Sequence, residues 1–180
     1  MRNWFLGLVL SVLATPAFAA GFTVTSPDVK NGGAVLMAQV FTGCKGGNQS
    51  PALSWSGEPA GTQSFAVTMY DPDAPTGSGW WHWTVFNIPA SVHSLPANAG
   101  AAGGANLPAG AGQGKTDFGS SNYGGPCPPP GPAHHYVITV YALKVPKLAL
   151  DADSSGAKVG FNVRSNTLGE AKITGTFATK

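Results

Sequence analysis

Apolar and polar residues alternate in several short runs, and these runs are rich in β-branched and aromatic side chains. That combination predicts strands over Phe22 to Ser26, Ala52 to Trp55, Ser64 to Tyr70, Trp81 to Ile88, Tyr136 to Leu143 and Ile173 to Ala178. Alternate side chains of a strand share a face. Phe65, Val67 and Met69 therefore lie together, and Asp71 continues their face just past the strand end. Tyr136, Ile138, Val140 and Ala142 form a second such set. The clearest helical stretch starts near Ser154 or Ser155, either able to serve as N-cap, and runs toward Ser165 despite Gly156 and Gly160. A second short turn is predicted at Thr167 to Ala171. Between these elements, Ala97 to Gly114 is Ala/Gly-rich, nearly uncharged and expected to be mobile. Gly124 to Ala133 is stiffer, because each proline fixes φ and removes a donor. Strands outnumber helices without alternating with them, and no internal repeat occurs. The predicted fold is mostly β, an antiparallel β-sandwich or a β-rich α+β domain.

The first residues follow a different pattern. Arg2, a short apolar run from Trp4 to Ala14, and Ala17-Phe18-Ala19 predict a signal peptide over residues 1–19, cleaved after Ala19. The alternative is a membrane anchor, but the run is short for a bilayer core of roughly 30 Å. No cysteine stands directly after the cleavage point, which argues against a lipoprotein, and no later segment is apolar enough to span a membrane. Residues 20–180 are expected to form a single domain, periplasmic or secreted. Cys44 and Cys127 are an even pair in an exported chain, which predicts a disulfide rather than two free thiols. With about 80 residues between them, such a crosslink contributes roughly 4–5 kcal/mol by chain entropy.

Composition removes several function classes. Only 10% of the residues are charged and the formal net charge is +2, with Arg2 among the cations. The remaining basic residues are scattered, so no stripe for nucleic acid or for an anionic membrane surface exists. No G-x-S-x-G elbow and no P-loop is present.

Two stretches carry the chemistry. Asp71-Pro72-Asp73-Ala74-Pro75 leads to Trp80-Trp81-His82-Trp83, and Gly124-Gly125-Pro126-Cys127-Pro128-Pro129-Pro130-Gly131 leads to His134-His135-Tyr136. A carboxylate at 71 beside an imidazole at 82 would raise the pKa of that histidine and orient its ring. The alternative is that Asp71 and Asp73 only form Asx turns around Pro72 and Pro75. Trp80, Trp81 and Trp83 are expected to alternate across the strand start, mostly as packing, with one able to wall a pocket. His134 and Tyr136 share a side, and His135 faces the other. A zinc set of His82, His134, His135 and Asp71 has weak spacing support.

Together with Asn48-x-Ser50-Pro51-x-Leu53-x-Trp55, these motifs resemble the phosphatidylethanolamine-binding proteins, also called Raf kinase inhibitor proteins, and in particular their bacterial YbhB/YbcL-like branch. The resemblance runs from about Phe22 to Phe177. It implies an antiparallel β-sandwich with a few short peripheral helices, and a small pocket for phosphate, acetate or a phospholipid head group. By position it assigns Asp71, His82, Pro129, His134 and Tyr136 to that pocket. Cys127 falls in the pocket loop, Trp80 near the rim, and Asp73 and Pro75 in the entrance turn. Donors would come from His82, His134, Tyr136 and the free N–H groups around Gly125 to Cys127, while Asp71 would accept from a histidine or a ligand ammonium. One departure is His135, where many relatives carry an arginine thought to brace the structure by ion pairing.

The expected function is an exported binding protein for a small anionic ligand, such as phosphate or a phosphoethanolamine-like head group. It is expected to need no metal and no cofactor, and to carry no catalytic residues. The alternative is an inhibitor that docks on a protease or kinase. A hydrolase using Asp71, His82 and His134 ranks last, because no nucleophile with a clear base is visible.

Overall fold

Each run with alternating pattern becomes a strand in the computed structural model, which describes residues 21–180. The expected signal peptide lies outside the described residues. The strands are β1 (Thr23–Thr25), β2 (Leu53–Ser56), β3 (Ser64–Asp71), β4 (Trp80–Pro89), β5 (Ser94–Leu95), β6 (Gly112–Gln113), β7 (His134–Leu143) and β8 (Thr167–Phe177). A single α-helix among the described residues, α1 (Gly156–Asn166), precedes β8. β1, β2 and β5 form a small sheet, and the larger sheet has the order β6-β4-β3-β7-β8. All these neighbours are antiparallel.

The two sheets meet through the faces that alternation assigned. Val24, Leu53, Trp55 and Leu95 of the small sheet pack with Phe65, Val67, Met69, Ile138 and Val140 of the large one. The opposite face of the large sheet buries Ala66, Phe86, Tyr141 and Leu143 against Val159 and Val163 of α1. The architecture is thus an antiparallel sandwich with one helix outside it. Ser155 caps α1, its hydroxyl accepting from the Lys158 N–H at 3.2 Å. Gly156 and Gly160, poor helix formers, lie against the Trp81 ring, where a Cβ at position 156 would collide with the indole.

Two expectations fail. Thr167 to Ala171 is not a helical turn: β8 starts there, and it pairs with β7 from Leu143↔Thr167 to His134↔Phe177. Thr167 closes α1 in an extended conformation, so helix passes to strand without a loop, and the ladder overrides local propensity. The Ala/Gly-rich segment expected to be mobile is tied into the core. Gln113 accepts from the Trp83 indole N–H at 2.7 Å and donates to the Ala101 carbonyl at 3.1 Å, while Ser50 Oγ accepts from the Gly100 N–H at 2.8 Å.

Candidate functional site

Strand parity alone places three side chains of the predicted site on the inner face of the large sheet. Asp71 ends β3 on the face of Phe65, Val67 and Met69; His134 and Tyr136 open β7 on the face of Ile138. His82 arrives by a different route. Met69 pairs with Trp83 and Tyr70 with Trp81, so β4 holds one extra residue at His82. This β-bulge breaks the alternation. Trp83 goes to the inner core and Trp81 to the helix side, and His82 is released toward the inner end of the sandwich. The simple alternation expected for Trp80, Trp81 and Trp83 is corrected accordingly.

Loops close the recess. The Gly124 N–H donates to the His82 carbonyl at 2.9 Å, and His82 Nδ1 donates to the Gly124 carbonyl at 2.6 Å. The carbonyl can only accept, so this contact fixes the hydrogen on Nδ1. Gly124 is held from behind. Asn48 Oδ1 accepts from the Gly125 N–H at 2.7 Å, Asn48 Nδ2 donates to the Tyr123 carbonyl at 3.3 Å, and the Phe41 N–H donates to the Pro126 carbonyl at 3.0 Å. The Cys44–Cys127 disulfide, with Cα atoms 5.6 Å apart, joins the same two loops.

The result is a cavity of about 250 Å³. Its polar wall is Asp71, His82, His134 and Tyr136, and its apolar wall is Trp80, Phe118, Pro128 and Pro129. Ala74, Pro75 and Thr76 of the entrance turn and Cys127 complete it. No lysine or arginine lines it. Asp71 does not pair with His82 as expected. Its Oδ2 accepts from His134 Nδ1 at 2.8 Å, and its Oδ1 accepts from the Asp73 N–H at 2.8 Å. One carboxylate thus makes both the Asx turn and the histidine contact. The expected rise in the His82 pKa is also reversed: burial pushes it below the ordinary imidazole value, against the upward pull of the Gly124 carbonyl and Asp71. The Tyr136 phenol is pushed up by burial and then by Asp71, so it stays an O–H donor. That hydroxyl is buried and, among the described residues, has no hydrogen-bond partner.

Gly125, expected to offer its N–H to a ligand, does not line the cavity, because that N–H is taken by Asn48. Pro126, Pro128, Pro129 and Pro130 have none to give, so from 124 to 130 only the Cys127 N–H is left for a ligand. His135 points away and bonds Asp73 Oδ2 through both its N–H and Nδ1, each at 2.7 Å; these bonds hold the Asp73 carboxyl below its usual range. Among the described residues no three metal-ligating side chains come together, so the zinc set is not assembled. Phe118 and Asn48 were not singled out as site residues. Phe118 stands edge-on to Trp80 and His82, with ring centroids 5.5 Å and 5.4 Å away. It lies in a Gly/Ser-flanked turn with no pattern to mark it.

The family described as Phosphatidylethanolamine-binding protein matches residues 25–178. The protein YbcL of Escherichia coli K12 is 51% identical over 183 residues, covering 100% of both chains. YbhB of the same organism is 48% identical over 155 residues, 85% of this chain and 98% of that one. The crystal structure of E. coli YbcL, described as a new member of the mammalian PEBP family, superposes with a TM-score of 0.88 at 54% identity, covering 89% of this chain and 100% of that one.

Proposed function

Because the chain belongs to the phosphatidylethanolamine-binding protein family, we propose that it is an exported binding protein whose cavity holds a phosphate or phospholipid-head-group-like anion. The observation that carries this reading is the Tyr136 hydroxyl, buried in the cavity wall without a partner. Buried polar groups are nearly always hydrogen-bonded, and a ligand oxygen is the acceptor this one lacks. The Cys127 N–H is a second donor. Trp80, Phe118 and Pro129 give an apolar surface for carbon atoms next to the anion. Asp71 still has lone pairs for an ammonium group.

Two further points support the reading. The Cys44–Cys127 disulfide suits an oxidising compartment, in line with the leader-like residues 1–19, and no helix among the described residues is long and apolar enough to cross a membrane. Binding is favoured over catalysis because neither the cysteine sulfur nor the threonine hydroxyl of the wall is a free nucleophile. The Cys127 sulfur is bridged to Cys44, and Thr76 Oγ1 donates to the Gly79 carbonyl at 2.5 Å.

Calorimetry with phosphoethanolamine and inorganic phosphate tests the proposal on wild type and Tyr136→Phe. The substitution removes a hydroxyl that makes no bond within the protein, so stability should hold or rise. Affinity should fall about tenfold or more, since a hydrogen bond to a charged group contributes about 1.5–3 kcal/mol. Equal affinity in both proteins would remove Tyr136, and with it this site, from the function.

A further inference from the structure

The cavity poses an electrostatic problem for the anion it is proposed to bind. His82 Nδ1 is committed to the Gly124 carbonyl, and the Gly124 N–H returns to the His82 carbonyl. The bond from Nδ1 holds the ring in this orientation, and the main-chain bond keeps the Gly124 carbonyl beside it. Nε2 is then the only nitrogen His82 can offer to a guest. In the neutral ring Nε2 carries no hydrogen and is an acceptor, so a phosphate oxygen placed against it meets lone pairs with lone pairs. No permanent cation relieves this, because neither lysine nor arginine lines the cavity and Asp71 brings a carboxylate into it.

The groups around His82 decide what happens on binding. Asp71 at the end of β3 and Asp117 in the turn after β6 both favour the protonated ring, as do the carbonyls of Gly124 and Gly125. From β7 come Tyr136, whose ring lies 5.1 Å away edge-on, and His134, which is paired with Asp71. Phe118 covers the ring from the loop side at 5.4 Å. In the free protein burial outweighs the attractive groups and the ring stays neutral. A guest anion adds the attraction that tips this balance.

Resting on the anion-binding reading above, we infer that the cavity takes its anion together with a proton, held between His82 Nε2 and the ligand oxygen. A phosphate diester monoanion therefore enters with a proton taken from solution, whereas a monoester enters either as the dianion with such a proton or as the monoanion carrying its own. Asp71 is not the recipient, because its Oδ2 already accepts from His134.

Calorimetry at pH 8 with methyl phosphate and dimethyl phosphate, each in two buffers of different ionisation enthalpy, measures the coupling. Both ligands should bind with the uptake of about one proton, and affinity should fall about tenfold for each further pH unit. Near pH 6 methyl phosphate is partly protonated already, so its uptake should shrink more than that of dimethyl phosphate. Binding with no proton uptake and a flat pH profile overturns the inference but leaves the anion site standing. No binding of either ester overturns the site itself. His82→Gln should abolish the uptake; uptake that persists in this variant transfers the proton elsewhere and overturns the assignment. Nitrogen-detected imidazole spectra of the free wild-type protein at neutral pH supply a ligand-independent check: hydrogen on Nδ1 alone supports the inference, and hydrogen on Nε2 refutes it.

Discussion

His82 and His134 face one cavity from two walls of different construction. The His134 wall is made of sheet. His134 sits on β7, and its partner Asp71 ends β3, two strands hydrogen-bonded from Ser64↔Leu143 to Tyr70↔Val137. The His82 wall is made of loop. Its partner is the carbonyl of Gly124, and that carbonyl is positioned by Asn48, by the Phe41–Pro126 contact and by the Cys44–Cys127 bridge. The chemistry differs in the same way. One imidazole donates to a carboxylate and is partly exposed, whereas the other donates to a carbonyl and is buried. The same residue type is thus given two characters by its partner and by the stiffness of what holds that partner. The sheet wall needs no staple; the loop wall is built from long-range contacts, and these can be removed one at a time.

The largest effect should come from the staple. Replacing both Cys44 and Cys127 by serine frees a loop of 83 residues and should lower stability by about 4–5 kcal/mol by chain entropy. Chemical denaturation measures this. The loss should be accompanied by weaker phosphoethanolamine binding and by a change in the His82 imidazole signals, with those of His134 left in place. A less stable protein with undiminished affinity would mean that the hydrogen bonds alone keep the loop wall in shape.

The sheet wall is tested by Asp71→Asn. The side chain keeps its size, but His134 loses a charged acceptor at 2.8 Å and the Asp73 N–H loses a carboxylate at 2.8 Å. A cost of about 2–3 kcal/mol is expected from hydrogen bonds to a charged group. The Nδ1 hydrogen of His82 should stay protected from exchange. Equal disturbance of both histidines would show that the two walls are one unit.

Asn48→Ala is the smaller counterpart on the loop side. It strands the Gly125 N–H, at an expected cost of about 1–2 kcal/mol for a buried group left unpaired, while the Tyr123 carbonyl keeps its bond from Asn122 Nδ2 at 2.9 Å. Because the disulfide remains, the loop should loosen without leaving. The reading fails if thermal melts and ligand affinity match the wild type.

These contrasts follow the line between what was legible in the sequence and what was not. The sheet wall was legible. A period of two places His134 with Tyr136 and turns His135 away, and it carries Asp71 onto the face of Phe65, Val67 and Met69; the sandwich fold rests on the same alternation. The loop wall was hidden. A bulge is a property of two strands in register, so the extra residue at His82 appears only once β3 is set beside β4. Asn48 sits 77 positions from the Gly125 N–H it accepts, and no local pattern links them. Phe118 lies in a turn without periodicity. β5 and β6 are two residues each, too short to alternate. The signs of the loop wall were the stiff Gly/Pro-rich run from Gly124 to Gly131 and the even number of cysteines. The Asp71 partner was misassigned for the same reason: spacing along the chain favoured His82, whereas pairing of β3 with β7 brings His134.

The smallest predicted effect lies in the pH dependence of stability, and it separates the two walls without any substitution. The His82 pKa is held below the ordinary imidazole value of about 6.5 by burial. Between the folded and unfolded values, the unfolded chain binds a proton at this site and the folded protein does not. Stability therefore rises with pH through that window. The contribution of a neutral His82 is complete above about pH 6.5 and fades as the pH drops toward the lowered folded value. Asp73, lowered by its bonds to His135, adds a loss only in the more acidic range of carboxylates, and its exposure keeps that loss small. Thermal melts from pH 8 to pH 5 should show the decline beginning in the imidazole range. His82→Gln, which cannot titrate, should flatten that part of the curve while leaving the acidic limb. If saturating dimethyl phosphate is then added, the decline should shrink or reverse, because the bound anion favours the protonated ring. A decline that His82→Gln leaves unchanged would have to come from another histidine, and the contrast between the neutral loop wall and the carboxylate-paired sheet wall would then be wrong.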